Sequence, residues 1–452
     1  MDAVRRPIVC LLAMAMLAGC AAYHARALDP TGAAATFRAR TLHDASIADA
    51  FAEVGRPLPT ATWTADDLWL VAQCCHPELV ASRAEVAAAA AAIGEAQQWE
   101  NPKVSLLPMR VLNSDPGVSP WILGGAIEFP LDLAGKRSAQ VAIATAGHLR
   151  SLAVAGGTCW QLHAAAQAAT CRCWHADADA ALASAAADAH RRLAELLATR
   201  VRLGYAAPAD LDVARAELTH AVVDAAFATG AAEEARAALA AAIGLPATAL
   251  RGIVIAEPPA GAPEPTDRSV LARGDLQAAV ADYTIADARL REAIAAQYPD
   301  VSLGPGYEFD QGLRKLQLGL SLTLPLWHAN GAGVAHAEAE RTASAARFEA
   351  LQTAALQSQD AARAAATAAQ RTLEATSAWS RDLETQAKRS ATFADAGLGD
   401  RLAAIAAESA LLDAQRAVLR SRRDATLAAI AWDLESGPPA PAAPPGEGGM
   451  EP

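Results

Sequence analysis

Leucine occupies every second position in one short stretch in the second half of the chain, residues 316–326, which reads LQLGLSLTLPL. Gln317, Gly319, Ser321 and Thr323 lie between the leucines. Because side chains alternate faces along a β-strand, one face is then wholly apolar and the other is small and polar. The pattern predicts a strand, either in a soluble sheet or in a closed barrel that crosses a bilayer.

The stretch belongs to the second copy of a tandem duplication. Residues 101–106 (NPKVSL) align without a gap with residues 298–303 (YPDVSL), and residues 129–132 (FPLD) align with 324–327 (LPLW). Each copy reads as a helix, two strands, a very long helix, a turn and a returning helix. An internal repeat of this kind determines the architecture. We therefore predict a signal segment (1–19), a leader without clear periodicity that we expect to be extended (20–65), a first repeat (66–246), a Pro-rich connector (247–268), a second repeat (269–435) and a disordered Pro/Gly-rich tail (436–452).

Two proline-free stretches, residues 133–202 and 332–395, consist of strong helix formers dominated by alanine. A helix of seventy residues is roughly 100 Å long. No globular core is that wide, so these helices are expected to pack like coiled coils, with alanine allowing close approach.

Glycine follows each predicted rod, at Gly204 in the first copy and at Gly397 in the second. Glycine most often ends a helix in a left-handed conformation. Asp210, shortly after the first glycine, is placed to cap the returning helix by accepting backbone N–H groups. The sequence thus predicts two antiparallel helical hairpins with tips at residues 204–210 and 397–400.

The first residues predict export. Arg5 and Arg6 precede an apolar run, and residues 17–20 read LAGC. This arrangement is typical of a signal peptide, and the run is too short for a spanning helix. The tetrad resembles a lipobox, in which Cys20 is acylated and becomes the N-terminus; the alternative is an ordinary signal peptide that happens to contain a cysteine.

Charge and composition exclude some classes of protein. Removal of residues 1–19 changes the net charge from −12 to −13, and no basic cluster suits nucleic acid. No mature segment has eighteen uninterrupted apolar residues. Five mature cysteines are an odd number without the spacing of a disulfide framework. No GxSxG, HExxH or P-loop motif is present, so we predict no enzymatic activity and no cofactor.

Two clusters combine thiols with imidazole, as soft or borderline metal ions prefer: residues 74–76 (CCH) and 171–175 (CRCWH). On a helix, Cys171 and Cys173 point about 200° apart, whereas Cys171 and His175 share a face. The alternative is that cysteine simply replaces alanine in tight helix packing. We assign no metal site.

The ordered set of motifs resembles the TolC-type outer-membrane factor family over residues 66–435. The matching segments are the lipobox, the starts of both repeats (76–79 and 273–276), both strand entries, the FPLDLAGKR run at 129–137 and the first tip with Asp210, Leu211 and Ala216. Gly274 departs from the usual proline, and the second tip is only loosely typical.

This resemblance implies a mainly α-helical protomer with four strands. Three protomers would complete a twelve-stranded β-barrel and a long periplasmic helical barrel. The implied function is a passive outer-membrane duct in a tripartite efflux system with a periplasmic adaptor (membrane fusion protein) and an inner-membrane pump of the RND type. Similarity to the heavy-metal-efflux branch favours heavy-metal cations as cargo; the alternatives are drug efflux and a pore-less periplasmic coiled-coil scaffold. The residues expected to dock the adaptor are Gly204, Asp210, Leu211, Gly397 and Asp400.

Overall fold

A computed structural model describes residues 23–113, 117, 119–258, 268–310, 312–324 and 326–439. The protein is mainly α-helical with a small sheet part, as the sequence predicts. The elements of the first half are α1 (Pro30–Ala39), α2 (Ala45–Glu53), β1 (Thr62–Trp63), α3 (Ala65–Cys75), α4 (Pro77–Ala96), β2 (Lys103–Arg110), β3 (Trp121–Leu131), α5 (Lys136–Arg202) and α6 (Pro208–Ala242). Those of the second half are β4 (Val254–Ile255), α7 (Gly274–Ala295), β5 (Val301–Asp310), β6 (Leu313–Leu322), α8 (Gly331–Asp395) and α9 (Arg401–Ser436).

The two predicted rods are present as α5 and α8, which have 67 and 65 residues. Each starts after a left-handed residue, Gly135 (φ 77°) for α5 and Asn330 (φ 52°) for α8. At the start of α5 the Asp132 carboxylate accepts the backbone N–H groups of Lys136 and Arg137, at 2.9 and 3.0 Å. A carboxylate there satisfies N–H groups that have no partner within the helix.

The sheet that matters for function has four antiparallel strands in the order β2-β3-β5-β6. The strand pair of each repeat is a hairpin, and the two hairpins meet along β3 and β5. β2 and β6 are the edge strands, and each has one side without a strand partner in this sheet. β6 ends at Leu322, earlier than the leucine alternation indicates. One further hydrogen bond in the same register follows, from the Thr323 N–H to the Asp300 carbonyl, at 3.2 Å.

Residues 30–63 correct one prediction, because the expectation of an extended leader is wrong there. This segment forms α1, α2 and β1, and β1 pairs in parallel with β4 from the predicted connector. Its apolar side chains enter the main core, where the Phe51 and Trp63 rings meet edge to face with centroids 6.1 Å apart. The helices are too short, at ten and nine residues, to show a clear period in the sequence.

Several predictions concern residues outside the described chain. These are the signal segment 1–19, the lipidation residue Cys20, residues 259–267 of the connector and residues 440–452 of the tail.

The helices of the two repeats approach each other closely where α5 meets the start of α7. A Cβ atom on Gly274 would lie 2.5 Å from both the Ala153 carbonyl oxygen and the Gly157 Cα atom. Any side chain at this position would therefore force the two backbones apart. This contact explains why glycine stands where the resemblance leads one to expect proline.

Candidate functional site

One face of the four-stranded sheet is an exposed apolar surface. Residues paired across neighbouring strands lie on the same side of a sheet. The pairs Tyr307–Leu316, Leu303–Leu320 and Phe129–Leu303 therefore join their strands into one apolar face. Its exposed members include Val104, Leu106, Leu123, Ile127, Phe129, Leu303, Tyr307, Leu316, Leu318 and Leu320. Leu316 is 83% exposed in the protomer. A continuous apolar surface of this kind marks contact with protein or lipid.

The opposite face of the sheet is small and polar over most of its length. Its cross-strand pairs include Gly306–Gln317 and Ser302–Ser321. Lys315 on β6 forms ion pairs with Glu308, at 3.3 Å, and with Asp310, at 2.6 Å. The alternation seen in the sequence of β6 is thus continued in β5, whereas β2 also places Leu107 and Met109 on the polar face.

The first tip turns at Gly204, as predicted. Gly204 is left-handed (φ 81°), and the Tyr205 N–H donates to the Arg200 carbonyl at 2.8 Å. This bond and the one from the Gly204 N–H to the Val201 carbonyl form a Schellman motif. Asp210 accepts the Ala207 N–H at 3.2 Å from the third position of α6. It therefore supports the helix start from inside the first turn, and Leu211 beside it is half-buried.

The second tip repeats the turn but caps the returning helix differently. Gly397 is left-handed (φ 71°), and the Leu398 N–H donates to the Phe393 carbonyl at 2.9 Å. Asp400 is the N-cap residue of α9 and accepts the Leu402 N–H at 3.0 Å. At both glycines no atom lies within 4 Å of the place a Cβ would take, so the tips are open.

An ion pair that the sequence analysis missed joins the two hairpins near their tips. Both terminal nitrogens of Arg200, in the last turn of α5, bind the Asp400 carboxylate, at 2.6 and 3.3 Å. These hydrogen bonds lower the pKa of Asp400. No local pattern could reveal this pair, because its residues lie two hundred positions apart.

Exposed apolar side chains surround the first tip, and the sequence analysis did not single them out. Leu203, Tyr205 and Val213 are all exposed. Leu398 is exposed at the second tip. Hydrophobic residues flanking a turn glycine would have been the signal for them.

The cysteine–histidine clusters do not assemble a metal centre. The Cys171 Sγ atom lies 3.5 Å from His175 Nδ1, so these residues share a face as predicted. Nδ1 also lies 2.8 Å from the Cys171 carbonyl oxygen. Burial raises the pKa of the Cys171 thiol to about 11, which keeps it from the thiolate form that binds metals. Within the described residues, no three histidine, cysteine or acidic side chains are grouped as a metal ion would require.

Burial dominates at the other described cysteines as well. It raises the pKa of Cys74, Cys75, Cys159 and Cys173. All five described cysteines are free thiols. Among the residues that the structure describes, no helix combines the length and the apolar character needed to cross a membrane.

Known proteins share this architecture. The outer membrane protein VceC of Vibrio cholerae matches with 21% identity and a TM-score of 0.67, over 82% of this chain and 96% of that one. The outer-membrane channel OprN matches with 20% identity and a TM-score of 0.69, over 92% and 98%. CusC, whose transmembrane channel formation has been studied by crystallography, matches with 17% identity and a TM-score of 0.67, over 82% and 92%.

A sequence comparison with curated proteins finds no match. The family model for outer membrane efflux proteins, however, matches residues 71–245 and 267–433, one segment in each repeat. The matched segments cover far more than half of the chain and confirm the resemblance found in the sequence. The protein belongs to the outer membrane efflux protein family.

Proposed function

We propose that the protein is a passive exit duct in the outer membrane, built from three copies of the chain. The observation that carries the proposal is the four-stranded sheet with an exposed apolar face, a polar face and two open edges. Open sheet edges are not tolerated in lipid. Three copies supply twelve strands, an even number within the range of outer-membrane barrels. The apolar face would then contact lipid, and the face with Lys315, Glu308 and Asp310 would line the duct.

The long helical hairpins would continue the duct through the periplasm. α8 supports this arrangement, because all but a few of its side chains are accessible in the protomer, including Leu356 and Trp379. A helix with that much free surface is stabilised by packing against further helices. In the trimer these would be the helices of neighbouring copies.

The two tips would receive a periplasmic adaptor that joins the duct to an inner-membrane pump of the RND type. The proposed docking residues are Gly204, Asp210 and Leu211 on the first tip and Gly397 and Asp400 on the second. The open space at both glycines and the exposed apolar residues around them support this role.

For anchoring we propose acylation of Cys20, which would hold the mature chain at the outer membrane. For cargo we propose heavy-metal cations, on the basis of the sequence resemblance to that branch of the family. No catalytic step is involved. A Cys20→Ser chain should fail to incorporate labelled fatty acid; incorporation into that variant would exclude the lipobox.

Purified mature chain in planar bilayers tests the duct itself. We expect trimers and stable conductance steps. A chain that stays monomeric in mild detergent and never conducts would favour the pore-less scaffold instead. Deletion of the gene should sensitise cells to heavy-metal salts; sensitivity only to drugs would assign the alternative cargo.

Docking is tested with two substitutions at one glycine. Gly204→Trp and Gly204→Ala both place a side chain in a left-handed position, which costs roughly 1–2 kcal/mol. Only tryptophan adds bulk to the rim. We expect Gly204→Trp to abolish export while trimer assembly and the abundance of the protein stay unchanged. Gly204→Ala should retain most of the export. Equal loss in both variants, or loss that follows loss of the trimer, would refute docking at this tip.

A further inference from the structure

A cavity lined by arginines lies near the middle of α5, away from both the sheet and the tips. It encloses about 370 Å³ between α5, α6 and α9. The wall formed by α6 consists of alanines, whose small side chains leave this space open. The charged side chains of the lining come from the other two helices. They are Arg172 and Asp179 on α5 and Arg420, Arg423 and Asp424 on α9.

The two acidic side chains of the lining already have partners. The two Asp179 carboxylate oxygens accept hydrogen bonds from Arg416, at 2.9 and 3.1 Å. One oxygen of the Asp424 carboxylate accepts hydrogen bonds from two nitrogens of Arg423, at 2.8 and 2.9 Å. Neither carboxylate forms a hydrogen bond with the remaining arginines of the lining.

Those remaining arginines have no anionic partner at hydrogen-bonding distance. Arg420 Nη2 lies 3.9 Å from an oxygen of Asp179, which is too far for a hydrogen bond. The Arg172 side chain has neither an ion pair nor a hydrogen bond among the residues that the structure describes. Three arginines against two aspartates also leave the lining with one positive charge. Guanidinium groups of this kind bind oxyanions, because their planar array of N–H donors matches carboxylate and phosphate oxygens.

The cavity is also lined by His175, which belongs to the CRCWH cluster that forms no metal centre. The residue is only 3% exposed. Its Nδ1 atom lies 2.8 Å from the Cys171 carbonyl oxygen, which can only accept, so Nδ1 carries a hydrogen. Burial lowers the pKa of His175, so the ring is neutral at pH 7 and Nε2 is an acceptor.

This acceptor is unused in the protomer. The Nε2 atom of His175 is buried and has no hydrogen-bond partner among the described residues. Buried polar atoms without a partner are rare in folded proteins, because the loss of their hydration is not compensated. A ligand of the cavity should therefore offer a hydrogen-bond donor to Nε2 as well as negative charge to the arginines.

Inorganic phosphate combines these two properties at pH 7, because it carries charged oxygens and still keeps a P–O–H group. Sulfate is fully ionised and has no such hydroxyl. A phosphate monoester has a second pKa of about 6 and is mostly the dianion without a hydroxyl. We propose that this cavity binds inorganic phosphate. Arg172, Arg420 and Arg423 donate to its charged oxygens, and His175 accepts the hydrogen bond of its hydroxyl. The bound ion would join α5 to α9, whatever cargo the duct carries.

Equilibrium dialysis of the purified mature chain with radiolabelled phosphate at pH 7, in a detergent without phosphate, tests the site. We expect saturable binding of one phosphate per chain. Sulfate and methyl phosphate should displace it only at concentrations at least about tenfold higher than unlabelled phosphate, because neither donates to His175. The absence of saturable binding, or displacement by sulfate and phosphate at equal concentrations, would overturn the proposal.

Arg172→Gln tests the charged part of the site without breaking any contact of the fold. Loss of this guanidinium should raise the dissociation constant for phosphate by at least about tenfold, as loss of a charge-assisted hydrogen bond does. Arg215→Gln, which removes an exposed arginine of α6 outside the cavity, is the matched control and should bind like the wild type. Wild-type affinity in Arg172→Gln would exclude phosphate from this cavity.

His175→Phe keeps a ring in the cavity wall but removes the acceptor. Phosphate should then lose its advantage, so that phosphate and sulfate compete at similar concentrations. A mere loosening of the cavity would weaken both anions alike and leave the preference for phosphate in place. A preserved preference in His175→Phe would show that Nε2 does not contact the ion, and the assignment of the hydroxyl to His175 would be refuted.

Discussion

The two rods, α5 and α8, are equivalent elements of the duplication and differ by only two residues in length. They differ greatly in burial. Fourteen residues of α5 are buried, against Ser344, Ala355 and Ala387 in α8. α5 packs against helices of both repeats, namely α3, α4, α6, α7 and α9, whereas the helices that α8 packs against are α7 and α9. Duplication therefore preserved length and turns, while the position in the protomer decided which rod became its axis.

The two rods also differ in the ion pairs that they form with other helices. α5 is joined to α9 by ion pairs along its length, from Asp179–Arg416 through Arg192–Glu408 to Arg200–Asp400. α8 is joined to α7 near its start by the ion pair Arg341–Asp287, at 3.2 Å, whereas its pair Glu384–Lys388 lies within the helix. The free surface of α8 is thus the place where an assembly would add contacts that the protomer lacks.

The substitution with the largest expected effect lies on the exposed surface of α8. Trp379, 48% exposed in the protomer, projects from α8. If α8 packs on a neighbouring copy, Trp379→Asp should weaken trimer assembly by at least about 2 kcal/mol, roughly thirtyfold, as loss of an interface tryptophan does. Mass measurement in detergent at several concentrations would show it. Trp379→Phe should keep the trimer, and an unaltered trimer in the aspartate variant would assign this part of α8 to solvent.

The next largest effect is expected where α5 meets α7, at Gly274. Gly274→Ala places a methyl group 2.5 Å from backbone atoms of Ala153 and Gly157, and such overpacking costs about 1–3 kcal/mol in the free energy of unfolding. Gly156→Ala is the control, because nothing lies within 4 Å of its Cβ. The helix propensity of alanine should stabilise that variant by up to about 1 kcal/mol. Thermal unfolding of both variants gives the comparison; equal stability would mean that the two helices separate freely.

The ion pairs of the two rods should differ in strength. Arg416 binds Asp179 through two nitrogens, at 2.9 and 3.1 Å, and their side chains are only 11% and 21% exposed. Asp179→Asn should therefore cost about 1–2 kcal/mol. Glu384→Gln, which breaks the exposed pair with Lys388 on α8, should cost at most about 0.5 kcal/mol. If chemical unfolding showed that both variants lose the same free energy of unfolding, the expected difference between the ion pairs would be contradicted.

The same pair predicts a dependence on pH. Burial alone would raise the pKa of Asp179, but the hydrogen bonds and charge of Arg416 outweigh it and lower the pKa. The stabilisation is therefore fully present above the unfolded pKa of about 3.9 and is lost as the pH falls through the lowered folded value. The stability difference between wild type and Asp179→Asn should be constant at neutral pH and shrink below about pH 4.

The smallest expected effect is a difference in strength between the helix N-terminal caps at the two tips. Asp400 is an N-cap residue with a bound arginine, whereas Asp210 accepts one N–H from the third helical position. Asp400→Ala should lower the free energy needed to open the first turn of α9 by about 1 kcal/mol. Asp210→Ala should lower the corresponding free energy for α6 by about half as much. Amide hydrogen exchange at Leu402 and at Ala207, whose N–H groups donate to the two carboxylates, measures both effects. A larger effect at Asp210 would reverse the assignment of the stronger cap.

Local patterns in the sequence were sufficient for the main elements of the two repeats, but not for the short helices of residues 30–63. The alternation around Leu318, the proline-free rods and the glycine at each tip predict strands, helices and turns, because each depends on backbone geometry over a few residues. The repeat then placed these elements in order twice. The candidate tip residues follow from the glycine at the end of each rod, so Gly204 and Gly397 could be located without a structure.

Only the tertiary structure decided what those elements touch. It placed Phe51 and Trp63 of the leader in the core, joined Arg200 to Asp400, and brought Gly157 against Gly274. Burial, and with it the neutral thiol of Cys171, was set in the same way. Each contact joins segments far apart in the chain, and a long-range contact leaves no periodic trace in either segment. The sequence alone therefore determines two matching sets of helices and strands, while packing determines that one rod lies at the centre and the other at the surface.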